Sequence, residues 1–527
     1  MSSSSSSAAA LETAAAERLP IRGALVSVYY KDRLEPLVRL LQQHGVQIYS
    51  TGGTLKFIQD LGAEVTAVET LTGFPEVFGG RVKTLHPKVF GGILHRRHEA
   101  GDVQQAAEHQ IPPIDLVIVD LYPFEETVAS GAGEQDVIEK IDIGGISLLR
   151  AAAKNFRDVL VVSSREQYAA VTELLEAQGG ASTLEQRRQY AAAAFQQTSH
   201  YDTEIFRYVS GGTALEGSVL KISQGPATPL RYGENPHQQG TFYGDLSALF
   251  EQLNGKQLSY NNLVDVDAAV ELILEFTTGG RPACAIIKHT NACGVAQADT
   301  LREAYLNALA GDPISAFGGV IVVNRPVDLA AAEELNKLFF EVLIAPGFDA
   351  DALALLQSKK NRILLRLKEM GFPQTQIKTL LNGIIAQDFD RVVEGRNEFR
   401  TVTESAPTDE EVEALEFALK VCKHTKSNTI VLAKAGQLLA SGVGQTSRVD
   451  ALKQAIEKAR SFGFDLQGAV MASDAFFPFP DCVEIAGAAG IRAVVQPGGS
   501  IKDQDSIAAC NRLGMAMVLT GVRHFKH

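Results

Sequence analysis

Short apolar runs recur along the chain, each followed by a polar or glycine-rich turn and then by residues at helical spacing. Gly23-Ala24-Leu25-Val26-Ser27-Val28-Tyr29 reads as a buried strand, and Leu34, Leu37, Val38 and Leu41 follow on one helix face. Val46 to Tyr49 predicts a second strand, Leu55 to Leu61 a helix, and Ala63 to Val68 a third strand. Leu116 to Phe124 and Asp158 to Ser163 predict two more strands, with a helix at Ile146 to Lys154 between them and helices onward to about Tyr208. Strands alternating with helices predict an α/β fold built on a doubly wound parallel sheet.

Gly211 to Thr228 is turn-rich, and a domain boundary is expected near Gly217. Beyond it, strands are predicted at Ala283 to Ile287, Val320 to Val323, Glu341 to Ala345, Thr429 to Ala433, Ala469 to Ser473, Arg492 to Gln496 and Met515 to Thr520. Helices are predicted at Val264 to Phe276, Leu329 to Phe340 and Glu410 to Cys422. Residues 359–408 mix apolar runs and charge without a clear period. Two basic pairs, Lys288-His289 and Lys423-His424, sit in similar strand–helix surroundings, a hint of two related subdomains.

A chain of 527 residues is too long for one core, so two to four domains are expected. The net charge of −13 argues against a nucleic-acid coat but permits small phosphorylated substrates, which need only local positive charge. No apolar run reaches the ~20 residues that cross a membrane. The five cysteines lack C-x-x-C spacing, which fits a reducing cytoplasm better than a disulfide scaffold or a structural zinc site. Met1 to about Leu19 is Ser/Ala-rich without a basic start or Leu-rich stretch, and is expected to be a disordered tail rather than a signal peptide.

Six stretches carry candidate chemistry. The strand ending in Lys288-His289 is either a solvated strand end or a site with a cation and a base near neutral pH. Ser50-Thr51-Gly52-Gly53-Thr54 joins a strand to a helix start, which is either a plain glycine turn or a phosphate cradle. The long loop Leu71 to Pro87 holds Arg81, Lys83 and His86, which either face one anion or are solvated. Asp142, between two isoleucines and before Gly144-Gly145, is an N-cap or a working carboxylate. Arg231, Tyr232, Asn235 and His237 crowd one breaker-rich loop. Phe476, Phe477 and Phe479 either stack on a flat ligand or belong to the core.

Taken in order, Ser50 to Thr54, Gly73-Phe74-Pro75-Glu76, Gly80 to Pro87, Leu121-Tyr122-Pro123-Phe124, Ile141 to Gly145, Arg231 to His237, Lys288-His289-Thr290, Ser473 to Pro478 and His527 resemble the AICAR transformylase/IMP cyclohydrolase family of purine biosynthesis. The resemblance implies a cyclohydrolase domain over 20–217 with a methylglyoxal-synthase-like sheet. It implies a transformylase domain over 218–527 made of two cytidine-deaminase-like α/β subdomains. The zinc-deaminase pattern H-x-E with P-C-x-x-C is absent, so that likeness would be of fold and not of metal chemistry. A cytoplasmic homodimer is implied, acting on AICAR, FAICAR, IMP and folate, with no nucleic acid or membrane as partner.

The implied reactions are formyl transfer from 10-formyltetrahydrofolate to AICAR, giving FAICAR, and dehydrative closure of FAICAR to IMP. By the resemblance, His289 and Lys288 serve formyl transfer, and Arg231, Tyr232, Asn235, His237, Glu341, Asn428, Arg448, Phe476 and Asp481 bind its substrates. Asp142, Tyr122, Lys154 and Lys83 serve ring closure, and Ser27, Lys31, Thr51, Gly52, Gly53, Thr54, Arg81 and Thr84 bind its substrate. No catalytic metal is expected, and a structural potassium ion is left open. Many members carry serine at Tyr29, some carry Asp at Glu341, and some carry Arg at Pro480.

Overall fold

The computed structural model describes residues 18–211, 219–277, 280–368 and 371–527; the start of the chain and the boundary expected near Gly217 lie outside these residues. The chain divides into two compact units, one ending at Ser223 and the other starting at Gln224. Leu19–Pro20 pairs with Ala181–Ser182, so Leu19, expected in the tail, belongs to the first unit's fold.

The first unit is built on a five-stranded sheet. Its strands run Thr66–Ala67, Gln47–Ser50, Gly23–Ser27, Leu116–Val119 and Leu160–Val162 across the sheet, and every pairing is parallel. The last two are buried at every residue, as strands covered on both faces must be. Helix Glu35–Gln43 buries Leu37, Val38, Leu40 and Leu41, and helix Gly144–Lys154 buries Leu148, Leu149 and three alanines. Two separate apolar clusters result, Leu37 and Leu41 in one and Leu148 and Leu149 in the other. The chain order reverses between Gly23–Ser27 and Leu116–Val119. In an open α/β sheet, the crevice beyond the carboxyl ends at such a switch point is where ligands bind.

The second unit is organised by a twelve-stranded sheet that repeats one topology twice. The first half runs edge strand Phe250–Asn254, helix Tyr260–Leu274, hairpin Ala283–Lys288 and Asn291–Gln297, helix Leu301–Gly311, strand Val320–Val323, helix Leu329–Leu335, strand Val342–Ala345, helix Ala350–Gln357 and strand Ile363–Leu367. The second half repeats this order from Arg400–Thr401 through helix Asp409–Lys423, hairpin Ile430–Lys434 and Gln437–Gly442, helix Arg448–Ser461 and strand Val470–Ser473. It continues with helix Asp481–Ala489, strand Ala493–Gln496 and helix Asp503–Leu513, and ends at strand Ala516–Leu519. The halves meet where Asn291–Gln297 pairs antiparallel with Gln437–Gly442.

This duplication does not equate the two basic pairs. Lys288-His289 stands at a hairpin turn, whereas Lys423-His424 ends a helix. The topological counterpart of the Lys288 hairpin is the turn after Lys434. Between the halves, in the stretch that showed no period, Thr375–Leu380 and Gly383–Asp388 form a separate two-stranded hairpin. Among the described residues no helix is long and apolar enough to cross a membrane.

Candidate active sites

In the first unit, the loops beyond the strands' carboxyl ends converge. Helix Gly52–Asp60 begins after Thr51, which is extended and makes no side-chain cap bond, so the helix start keeps free N–H groups for an anion. Gly52 has φ +53°, and a Cβ there would lie 3.7 Å from Lys83 Nζ; one on Gly53 would lie 3.7 Å from Lys31 Nζ. Two ammonium groups therefore hang over an uncapped helix start. Next to Lys83, buried Thr84 has its hydroxyl 3.2 Å from where a Cβ on Gly144 would stand.

Asp142 lies in the turn that opens helix Gly144–Lys154. Its Oδ1 accepts the Gly145 N–H at 2.6 Å, its own N–H donates to the Tyr201 hydroxyl at 2.9 Å, and that hydroxyl donates to the Lys140 carbonyl at 2.6 Å. Burial raises its pKa, against the pull of the Gly145 and Tyr122 N–H groups and the Lys83 charge. Ile143, not Asp142, holds the N-cap position, and Asp142 stands as a turn carboxylate bonded to the Gly145 N–H next to a cation. Burial also raises the Tyr122 hydroxyl, with Asp142 and Tyr29 adding to the effect. Tyr29 stands edge-on to Tyr122 with centroids 5.7 Å apart, and Lys140 Nζ lies 5.3 Å and 5.9 Å from the two ring centres.

Other expected residues are engaged elsewhere. Lys154 is exposed at the far end of its helix, on the order of 15 Å by helix rise from Gly144, and no contact ties it to Tyr122 among the described residues. Arg81 pairs with Glu139, and His86 caps helix Pro87–Leu94 by accepting the Lys88 N–H, so Arg81, Lys83 and His86 do not face one anion together. The Thr51 hydroxyl donates to Glu69, and the Thr54 hydroxyl is bonded to both the N–H and the carbonyl of Val28. Any contact of Thr54 with a ligand at this helix start would run through its backbone. Ser27 ends its strand half-buried. Asp120 escaped the sequence reading. It is buried, accepts the Tyr29 and Tyr30 N–H groups, and burial pushes its pKa up to about 6. It fixes the loop that carries Lys31.

In the second unit, Lys288 and His289 stand at a two-residue hairpin turn rather than a strand-to-helix loop. His289 and Thr290 have φ +51° and +65°, the left-handed pair a tight primed turn requires. His enters this region more readily than most residues, whereas Thr, being β-branched, resists it. Such strain is often kept at functional positions. The turn is held by Asp265, which accepts the Thr290 N–H at 2.7 Å, and by Asn291, which donates to the His289 carbonyl at 2.9 Å. Lys288 Nζ donates to the Phe317 carbonyl at 2.8 Å.

The Lys426 N–H reaches Asn291 Oδ1 at 3.4 Å, which brings the Lys426-Ser427-Asn428 loop to this turn. Asn428 Nδ2 donates to the Gln445 carbonyl at 2.9 Å, three residues before Arg448. Arg448 donates to Asp474 Oδ1 at 3.1 Å, and Asp474 is buried with its Oδ2 unpartnered. The end of the chain closes this side: Ser427 and Lys526 exchange two hydrogen bonds, and the His524 N–H donates to the Asp474 carbonyl. Asp265 carries no local sequence signal, whereas Asp474 and the chain's end lie in stretches that carry the family resemblance.

The Arg231–His237 loop contacts the same helix as the hairpin turn. Asn261 donates to the Glu234 carbonyl, and Asp265, one helical turn on, accepts from Thr290. Arg231 lies 5.6 Å from the Tyr232 ring, and Asn235 donates to Gln238; no contact ties His237 to Lys288 or His289 among the described residues. Glu341 pairs with Lys256 at 2.9 Å. Phe476 and Phe479 are exposed, whereas Phe477 is core. Asp481 opens helix Asp481–Ala489 and bonds the Cys482 N–H. Among the described residues no group of three or more His, Cys, Asp or Glu side chains is arranged to hold a metal.

Two family models match the chain, and the second begins inside the first compact unit. Residues 33–147 match the family described as MGS-like domain, and residues 152–458 match the family described as AICARFT/IMPCHase bienzyme. A protein of Bacteroides thetaiotaomicron named bifunctional purine biosynthesis protein PurH is 60% identical over 96% of this chain and 99% of its own. Proteins of the same name from Rhodospirillum rubrum and Aquifex aeolicus are 48% and 47% identical, over 97% and 96% of this chain and 99% and 100% of their own. A solved structure described as that of ForH is 35% identical over 36% of this chain and 98% of its own; its TM-score of 0.32 adds nothing to the fold description. With an MGS-like domain ahead of the longer match and relatives alike along nearly their whole length, the chain belongs to the AICARFT/IMPCHase bienzyme family.

Proposed function

We infer that the chain carries out the last two steps of IMP synthesis. It transfers a formyl group from 10-formyltetrahydrofolate to AICAR, and it closes the product, FAICAR, to IMP with loss of water. The observation that carries this reading is that a member of a two-activity family holds two separate constellations: Lys288-His289 with Asn428, and Asp142 with Tyr122 and Lys83.

For formyl transfer, the 5-amino group of AICAR is a weak nucleophile, because its lone pair is delocalised into the imidazole and carboxamide. His289 takes its proton during attack on the formyl carbon, and Lys288 stabilises the tetrahedral oxyanion and supplies a proton to the departing folate nitrogen. Asn428 holds the imidazole or formyl oxygen. Arg231, Tyr232, Asn235, His237, Glu341, Arg448 and Phe476 bind the ribotide, and Asp481 faces the folate.

For ring closure, both reacting groups lie in one molecule, so positioning supplies much of the rate. Asp142 removes the carboxamide proton as nitrogen attacks the formyl carbon. Lys83 orients the carboxamide, and the Tyr122 hydroxyl stabilises the oxyanion before water leaves. The phosphate sits on the uncapped start of helix Gly52–Asp60 under Lys31 and Lys83, with Ser27, Thr84 and the residues Thr51 to Thr54 around it. Lys154 and Arg81 act after side-chain movement from the positions they hold here.

The domains are taken as 20–217 and 218–527. The active species is a cytoplasmic homodimer. Supporting the dimer, Leu381, Ile384 and Ile385 are 98%, 48% and 55% exposed on a two-stranded hairpin, and a lone hairpin of that kind needs a partner surface. The buried, unpartnered Asp474 Oδ2 is a hard oxygen donor that could serve a structural potassium ion.

The test is to incubate the purified chain with AICAR and 10-formyltetrahydrofolate. Formation of IMP through FAICAR is expected. A folded protein that binds AICAR and forms neither product would leave only a nucleotide sensor.

A further inference from the structure

A lysine that the sequence reading passed over already stands at Tyr122. Lys140 is half-buried and precedes Asp142 by two residues. Its Nζ lies over the Tyr29 ring, 5.3 Å from the centre, and over the Tyr122 ring, 5.9 Å from the centre. The two rings stand edge-on to each other, so one ammonium serves both π-faces. Among the described residues no carboxylate pairs with it: the neighbouring Glu139 is taken by Arg81 and by Gln135. An unpaired ammonium against two tyrosines, in a chain whose net charge is −13, is positive charge left free for something that is not protein.

The position of Lys140 is fixed from two directions. Its carbonyl accepts the Tyr201 hydroxyl at 2.6 Å, and the same hydroxyl accepts the Asp142 N–H at 2.9 Å. One buried tyrosine therefore pins the backbone that carries the ammonium to the backbone that carries the base. The Tyr29 ring is set by buried Asp120, which accepts the Tyr29 and Tyr30 N–H groups. Burial keeps the Tyr122 hydroxyl protonated, so it offers an oxyanion a hydrogen bond but no charge. Lys83 lies by the helix start, where a Cβ on Gly52 would stand 3.7 Å from its Nζ, and there it shares its charge with the phosphate. Lys140 is the cation that meets the hydroxyl's side of the site.

We propose that Lys140 is a further residue of the ring-closing site, whose ammonium, held over Tyr29 and Tyr122, stabilises the oxyanion formed as the carboxamide nitrogen attacks the formyl carbon. The proposal rests on the ring-closing reading above. Lys140 makes and breaks no bond: the carboxamide proton passes to Asp142, and the ammonium stays charged throughout. The charge it meets exists only once the nitrogen has attacked, so its contribution falls on kcat and not on KM. Tyr29 acts through Lys140, as the second π-face that keeps the ammonium in place.

The experiment follows closure of FAICAR to IMP by the full-length protein and by Lys140→Met, Lys140→Arg, Tyr29→Leu and the Tyr29→Leu/Lys140→Met double variant. Every one of them keeps the Lys140 carbonyl that holds Tyr201, and formylation of AICAR with a thermal melt monitors folding. Lys140→Met is expected to lower kcat about a hundredfold and to leave KM within about twofold. Lys140→Arg, which keeps the charge, should recover at least about tenfold of that loss. Tyr29→Leu should slow closure about tenfold alone and add little in the Lys140→Met background, because it acts through the missing ammonium. A wild-type kcat in Lys140→Met, a loss confined to KM, an arginine variant as slow as the methionine one, or additive losses at the two positions overturns the proposal. Asp142→Ala runs alongside: closure that survives it strikes the ring-closing reading itself, whereas the Lys140 series reports on Lys140 alone.

Discussion

Gly145→Ala offers a sharp test of the ring-closing geometry. A Cβ on residue 145 would stand 2.4 Å from Asp142 Oδ2 and 2.9 Å from its Cγ, where ordinary contact begins near 3.4 Å. The carboxylate must retreat by about 1 Å, because the backbone of the helix start cannot, and a displacement of that size near reacting groups can cost roughly a hundredfold in rate. The retreat also breaks the 2.6 Å bond from the Gly145 N–H, a charge-assisted contact worth about 1.5–3 kcal/mol. The atom that moves is the free end of a side chain, so the fold survives. FAICAR closure, followed by IMP formation, should slow about a hundredfold, while formylation of AICAR keeps its rate. A variant that closes FAICAR at the wild-type rate would show that Asp142 need not stand where this structure puts it.

Three further outcomes follow from buried charge and exposed apolar surface. Burial would push the His524 imidazole down, but Asp390 and Glu394 outweigh it and raise the pKa to about 9. A raised histidine stabilises fully below its unfolded pKa and loses that stability as pH climbs through 9. Urea unfolding should therefore show about 3 kcal/mol lost between pH 6.5 and 9.5, and a flat profile across that range in His524→Gln; an unchanged slope in the variant would refute the assignment. Glu275→Gln leaves Lys423, 5% exposed, without its 2.9 Å partner and should cost about 3–5 kcal/mol by denaturant titration; a cost under about 1 kcal/mol would mean that the pair is not buried. Ile384→Asp with Ile385→Asp should shift sedimentation from dimer to monomer, and a dimer that persists would move the interface elsewhere.

Much of the fold was legible because a strand covered on both faces must be apolar throughout. Leu116–Val119, Leu160–Val162, Val320–Val323 and Val470–Ser473 stand out for that reason. Asn291–Gln297 did not, because its composition answers to packing and not to strand preference: a Cβ on Gly294 would lie 1.9 Å from the Ala308 carbonyl oxygen of the following helix. The same device recurs in the other half, where Gly442 faces the Ala451 carbonyl at 1.8 Å. The duplication itself lies in strand order, and the basic pairs that hinted at it are not counterparts.

The candidate sites were legible where chemistry and a turn coincide in a few residues, as at Gly52-Gly53, Lys83, Asp142 and Lys288-His289. It was not legible where one acid acts across long separations, as Asp120 does on Tyr29-Tyr30 or Asp265 on Thr290. Lys154 illustrates the opposite failure: twelve residues from Asp142 along the chain, it is carried to the far end of a helix.

The central claim is that two reactions proceed at two separate constellations of one chain. His289→Ala and Asp142→Ala, each supplied in parallel with AICAR plus 10-formyltetrahydrofolate and with FAICAR alone, test it most directly. His289→Ala should fail to formylate AICAR yet close FAICAR to IMP, whereas Asp142→Ala should accumulate FAICAR from AICAR and leave added FAICAR unclosed. Loss of both reactions from either folded variant would contradict the account.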